Sequence, residues 1–151
     1  MAESVTYKNI FTTFWNNIYD LIKTINDPEN RGTKWVYDAY PDSRFDDKTA
    51  YPMIIIMPPD ISGQDKHTFG TSPQKENTIP IQIDIFTLKA IQIDELMDDI
   101  YKKFEDSEGT LFTHNMVNMK ILRTNYSNYK RGGMKVHFKS IVYGFKFNYS
   151  V

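Results

Sequence analysis

The sequence predicts an α+β domain, a largely antiparallel or mixed sheet of about four to five strands with two amphipathic helices packed on one face. Three observations lead there. Two segments carry apolar residues at three- and four-residue spacing, the period of a helix face. Several others alternate with period two or are apolar throughout, as strands are. The order of these segments is helix, short strand, two central strands, helix and long hairpin, with no internal repeat and no Gly/Ser/Pro-rich linker to divide 1–151 into domains.

In the first helix Ile10, Phe11, Phe14, Trp15, Ile18, Leu21, Ile22 and Ile25 share one face. Ser4 or Thr6 can cap its start, and Pro28 disfavours helical geometry at Asp27 and so bounds its end. A face this wide and aromatic predicts packing across a sheet. "WVYDAYP" reads as a short strand and "DSRFDDKTA" as an exposed acidic loop. "YPMIIIMPP" is apolar on both faces, which predicts a central strand. In "TIPIQIDIFTL", Ile79, Ile81, Ile83 and Ile85 point one way and Gln82 and Asp84 the other, the pattern of a sheet with one buried face. Pro80 is expected near that strand's start, where a missing N–H is tolerated.

The second helix presents Ile93, Leu96, Met97, Ile100, Tyr101 and Phe104, with Asp94 and Glu95 at the favoured end of its dipole, and "DSEGT" is expected to stop it. "MVNMKILRTNY" alternates on Val117, Met119 and Ile121; "SNYKRGG" reads as a turn in which Gly132 and Gly133 supply positive φ. The final strand, "MKVHFKSIVYGFKFNYSV", changes phase. Val136 and Phe138 alternate on even numbers, whereas Tyr143, Phe145, Phe147 and Tyr149 alternate on odd ones. That slip means either a bulge near Ser140 and Ile141 or passage between two packing environments. Gly144 permits a bend or a close backbone approach.

Composition narrows the function. A net charge of −1 and a pI near 6.3 argue against duplex nucleic acid as the main ligand. The chain has no cysteine, so disulfides, thiolate zinc sites and cysteine nucleophiles are excluded. The N-terminal segment lacks a basic region followed by an apolar core, and no apolar run approaches the roughly 18 residues of a membrane span. These features predict a soluble, intracellular domain with no membrane contact.

Chemical motifs are sparse. His67, His114 and His137 are far apart with no second ligand at metal-site spacing, and His137 is the one expected to be partly buried. Asp42, Asp46 and Asp47 with Lys48 suggest a metal-dependent nuclease as an alternative, but that chemistry needs acids converging from adjacent strands. "DELMDD" suits a helix N-terminus. No GxSxG, GxxxxGK or GxGxxG occurs, so no catalytic residue, cofactor or metal site is expected.

Surfaces are more informative than motifs. The segment Asp60–Thr78 is far longer than the usual connection of about four to six residues. Its mixed charge suits an arm that orders against a partner, with Asp60, Gln64, Lys66, His67, Phe69, Gln74, Lys75 and Glu76 as candidate assembly residues. Lys130, Arg131 and Lys135 form a candidate basic hairpin tip, facing a phosphate backbone or an acidic partner. The aromatic C-terminal strand must be covered, either by a neighbouring subunit or by the N-terminal helix.

The helix "YKNIFTTFWNNIYDLIKTI", the strand "YPMIIIMPP", the polar excursion, "IPIQIDIFTL", the helix "IDELMDDIYKKF" and the closing hairpin occur in an order that resembles the tail terminator proteins of long-tailed bacteriophages, also called tail-completion or tail-to-head joining proteins. The resemblance covers most of the chain. It implies a structural virion protein at the tail–neck junction, assembled in the host cytoplasm. Its partners would be itself in a homo-oligomeric ring, expected as a hexamer, the tail tube protein and a neck or connector protein. DNA would only pass through the lumen, which suits a near-neutral chain because each neutralised phosphate strengthens binding. A head-closure protein is the nearest alternative.

Overall fold

The computed structural model describes Ser4, residues 10–57 and residues 74–150, with the backbone alone at 10–11, 74–78, 117–119 and 146–150. The elements are α1 (Ile10–Ile22), β1 (Val36–Tyr37), 3₁₀ turns at Asp42–Arg44 and Lys48–Ala50, β2 (Met53–Ile56), β3 (Gln74–Thr87), α2 (Ala90–Asp106), α3 (Glu108–Thr113), β4 (Met116–Arg131) and β5 (Met134–Ser150). The five strands form one sheet in the order β1-β2-β3-β5-β4. β1 runs parallel to β2 and every other pairing is antiparallel, so the fold is α+β with a mixed sheet. No helix among the described residues is long and apolar enough to cross a membrane.

The helices cover one face. Ile79, Ile81, Ile83 and Ile85 of β3 join Ile54, Ile56, Ile141, Tyr143 and Phe145 there, against Phe14, Ile18 and Ile22 of α1 and Ile93, Leu96, Ile100 and Phe104 of α2. Each fully buried side chain of this size contributes roughly 1.5–3 kcal/mol. Ring contacts give the layer a defined geometry. Phe14 meets Phe145 edge-on at 5.2 Å, and Phe104 meets Tyr143 at 4.8 Å and Phe145 at 5.6 Å. Met97 is half-buried, whereas Tyr101, expected on the packed face, is exposed.

The opposite face has its own small core, and it corrects the reading of "DSRFDDKTA" as an exposed loop. Phe45, Ala50 and Tyr51 are buried against Met53, Ile55, Phe86 and Val136, and the Tyr51 hydroxyl donates to Phe45 O at 2.7 Å. Asp42, Asp46 and Lys48 stay exposed while the aromatic between them plugs the sheet. This second layer also explains the phase change in β5. The β3–β5 register runs without a slip from Gln74↔Ser150 to Thr87↔His137, so β5 has no bulge against β3. Val136 and Phe138 pack into the small core, and Ile141, Tyr143 and Phe145 into the helix-side core. The strand passes between two packing environments. His137, expected to be partly buried, is 9% exposed.

Several boundaries differ from the expectations. α1 stops at Ile22 rather than near Pro28, because Thr24 Oγ1 donates to Leu21 O at 2.6 Å and the next turns tighten. "DSEGT" does not end the helical region, since α3 follows α2 directly. Pro80 lies mid-strand opposite Gly144, yet its missing donor is tolerated. Met57 N–H donates to Gln82 O, so even-numbered residues here direct their backbone groups towards β2, and β2 pairs only as far as Ile56↔Ile83. "SNYKRGG" is mostly strand: Ser127–Arg131 belong to β4, and the turn is Gly132–Gly133 alone, with φ of 56° and 81°. Those values suit a two-residue hairpin turn whose twist matches the flanking strands.

One buried group is left over. Tyr143 is 2% exposed and its hydroxyl has no hydrogen-bond partner among the described residues. Tyr143→Phe is therefore expected to raise the unfolding free energy by about 1 kcal/mol in urea titration, since it removes an unpaired polar atom from the core. A loss of stability would show that the hydroxyl is satisfied. Burial pushes the phenols of Tyr51 and Tyr143 up to about 12. Their folded values exceed the unfolded value of about 10, so the stability they carry is complete below pH about 10 and is lost as pH rises towards 12. Tyrosinate absorbance should rise together with loss of fold in that window.

Candidate interaction surface

Of the aromatic C-terminal strand, Tyr143 and Phe145 are buried, and the side chains of Phe147, Tyr149 and Val151 lie outside the described residues. β5 is paired on both sides, with β3 and β4, and α1 and α2 cover Tyr143 and Phe145 within one chain. The long edge strand is β4. Residues 120–130 are all exposed, including Ile121, Leu122, Tyr126 and Tyr129. A lone exposed apolar residue needs no explanation, but four of them on one edge strand mark a surface.

The edge has two parts. Register shifts occur between Val117 and Lys120 and between Ile121 and Arg123, so the first part of β4 is bulged. Leu122, beside the second shift, lies over Gly144. A Cβ there would come within 3.0 Å of the Leu122 side chain, which is the close approach that Gly144 permits. From Arg123↔Val142 to Arg131↔Met134 the register is regular. In this part Tyr126 stacks on His137, with its hydroxyl 2.7 Å from His137 Nδ1.

The predicted basic tip is only partly free. Arg131 Nε donates to Asp46 Oδ1 at 2.7 Å and its guanidinium lies 5.2 Å from the centre of the Phe45 ring, so it fastens the hairpin to the Phe45 plug. The Arg131 hydrogen bond holds the Asp46 carboxyl below the usual carboxylate range. Lys130 and Lys135 face each other across the turn and are exposed.

Of the candidate assembly residues, Asp60, Gln64, Lys66, His67 and Phe69 lie outside the described residues. Gln74, Lys75 and Glu76 do not belong to a loop. They start β3, opposite Ser150, Tyr149 and Asn148, because the long β5 offers backbone partners along its whole length. The acids considered for metal chemistry are not brought together: Asp46 is tied to Arg131, and Asp47 accepts from Thr49 N–H and Oγ1 to cap a 3₁₀ turn. No group of three or more His, Asp or Glu residues among the described residues could hold a metal ion.

Two features were not visible in the sequence. Asp84, expected on an exposed face, is fully buried. It accepts from Tyr40 Oη at 2.6 Å and Gln82 Nε2 at 3.0 Å, and burial together with the Asp84 hydrogen bond raises the Tyr40 phenol well above its ordinary value. The other is Arg31. Its guanidinium donates to both Asp27 carboxylate oxygens, at 2.8 and 2.9 Å, and to the carbonyls of Thr49, Ala50 and Pro52. It ties the turn after α1 to the approach to β2. No family model and no curated protein matches this chain.

Proposed function

We propose that this chain is a structural protein of a virion tail, a terminator that forms a ring on the completed tail tube, ends its polymerisation and offers a joining surface to the neck. The observation that carries the reading is the order of elements on one sheet: an opening aromatic helix, two apolar strands separated by a long excursion, a second helix on the same face and a closing hairpin. Among the described residues no strand pairs with the outer edge of β4, and a protein that acts by association needs such a surface. The balanced charge suits a conduit through which DNA slides without being held.

Negative-stain imaging of the purified protein, alone and with isolated tail tubes, tests this. The expected result is rings in solution or on tube ends. A chain that stays monomeric at every concentration and never associates with tubes would overturn the reading. Deleting the gene separates the terminator from a head-closure protein: loss of the terminator yields overlong tails, loss of head closure yields normal tails and leaking heads. Replacing residues 60–73 by a tight turn leaves the β3–β5 pairing untouched and should impair capping; normal capping would show that the segment is dispensable.

A further inference from the structure

We propose that the Arg123–Arg131 edge of β4 accepts an extended acidic segment of a partner protein as an additional strand of the sheet. The inference does not depend on the ring reading and holds equally for a monomer. Edge strands that avoid association are usually short, bulged or charged along their length. Here the bulges are confined to 117–123, and the run from Arg123 to Arg131 keeps one regular register. Its centre, Thr124–Tyr129, carries no charge, and Arg123 and Lys130 stand near the two ends. Both are exposed, and neither has an ion-pair partner among the described residues, whereas Arg131 is held by Asp46.

An added strand would pair with the outward N–H and C=O groups and lie beside Tyr126 and Tyr129. Carboxylates near its ends would meet Arg123 and Lys130. The charge pattern disfavours a second copy of β4, because that strand holds Lys120, Arg123, Lys130 and Arg131 and no acidic residue. A single-stranded nucleic acid would use the cations but leave the outward carbonyls unpaired.

The test uses the full chain and a synthetic peptide of alternating threonine and valine, matched in length to Arg123–Arg131, with glutamate at both ends. Fluorescence anisotropy is expected to show it binding at least about tenfold tighter than the same peptide ended with lysine, and Arg123→Glu/Lys130→Glu should weaken it about tenfold. Amide shifts should cluster on residues 123–131. N-methylation of one alternate set of peptide residues should abolish binding and of the other set leave it intact, since only one set faces the edge. Equal binding of the lysine-ended peptide, or indifference to both methylation patterns, would overturn the proposal. So would tighter binding of an oligothymidylate at the same amides, or concentration-dependent shifts there in the free protein, the mark of self-pairing.

Discussion

Arg31→Ala is expected to lower the unfolding free energy by about 3–5 kcal/mol, because it strands a largely buried carboxylate. The Asp27 side chain is 8% exposed and that of Arg31 15%, so water replaces little of what is lost. The same substitution removes the donors of the Thr49, Ala50 and Pro52 carbonyls and the guanidinium beside the Trp35 ring. Arg31→Lys should restore only a fraction, since an ammonium cannot serve two carboxylate oxygens and three carbonyls in the fixed geometry of a planar fork. Urea titration of the three proteins checks this; a loss under about 1 kcal/mol for alanine would mean that the clamp follows the fold rather than holding it.

The same pair sets a pH dependence. Burial pushes the Asp27 carboxyl up, but hydrogen bonds from the Arg31 side chain and from the Glu29 and Arg31 N–H groups outweigh it and leave the carboxyl below its ordinary value. A depressed folded value means that the unfolded chain takes up the proton first. The stability this group carries is therefore present above pH about 4 and is lost as pH falls through the lower folded value. Thermal unfolding of the parent protein should fall across that range, and Arg31→Ala should lose less there because it has already lost the pairing.

Phe14→Ala is expected to cost about 3–5 kcal/mol. Phe14 is fully buried in the helix-side core, and its edge contact with Phe145 joins α1 to β5, the strand between β3 and β4. Alanine leaves a void that Ile18 and Phe104 cannot close without leaving their own packing. Phe112→Ala offers the contrast: Phe112 is 66% exposed on α3, and its loss should stay within about 0.5 kcal/mol. Guanidinium titration of both variants checks the difference, and comparable losses would show that burial does not rank these two rings.

The core helices were legible because their signal is local. Ile18 and Ile22, or Leu96 and Ile100, lie one turn apart and need no knowledge of the rest of the chain. The run Met53–Ile56 likewise announces a strand buried on both faces, and it is one. Asp84 was misplaced for the opposite reason. A carboxylate in an alternating strand reads as solvent-facing until a hydroxyl from Tyr40, distant in sequence, is placed against it. Phe45 was hidden among acids, since 3₁₀ turns bury one ring while keeping its charged neighbours in water. Arg131 looked like a free cation because its partner Asp46 is 85 residues away in sequence.

The candidate surface shows the same division. The sequence marked the hairpin as the place where aromatic and basic residues gather, and it located both strands from their alternation. It did not say which strand lies outside. Strand neighbours are chosen through backbone hydrogen bonds that every residue type but proline can make in full, and side-chain periodicity records only the two faces. The sequence by itself determined two amphipathic helices, a set of strands and their order along the chain. Only the tertiary structure decided that β5 sits between β3 and β4, that a second core closes over Phe86, and that β4 has one edge unpaired among the described residues. Those outcomes depend on contacts between segments far apart in sequence, whose cost in chain entropy is met only when the whole sheet assembles.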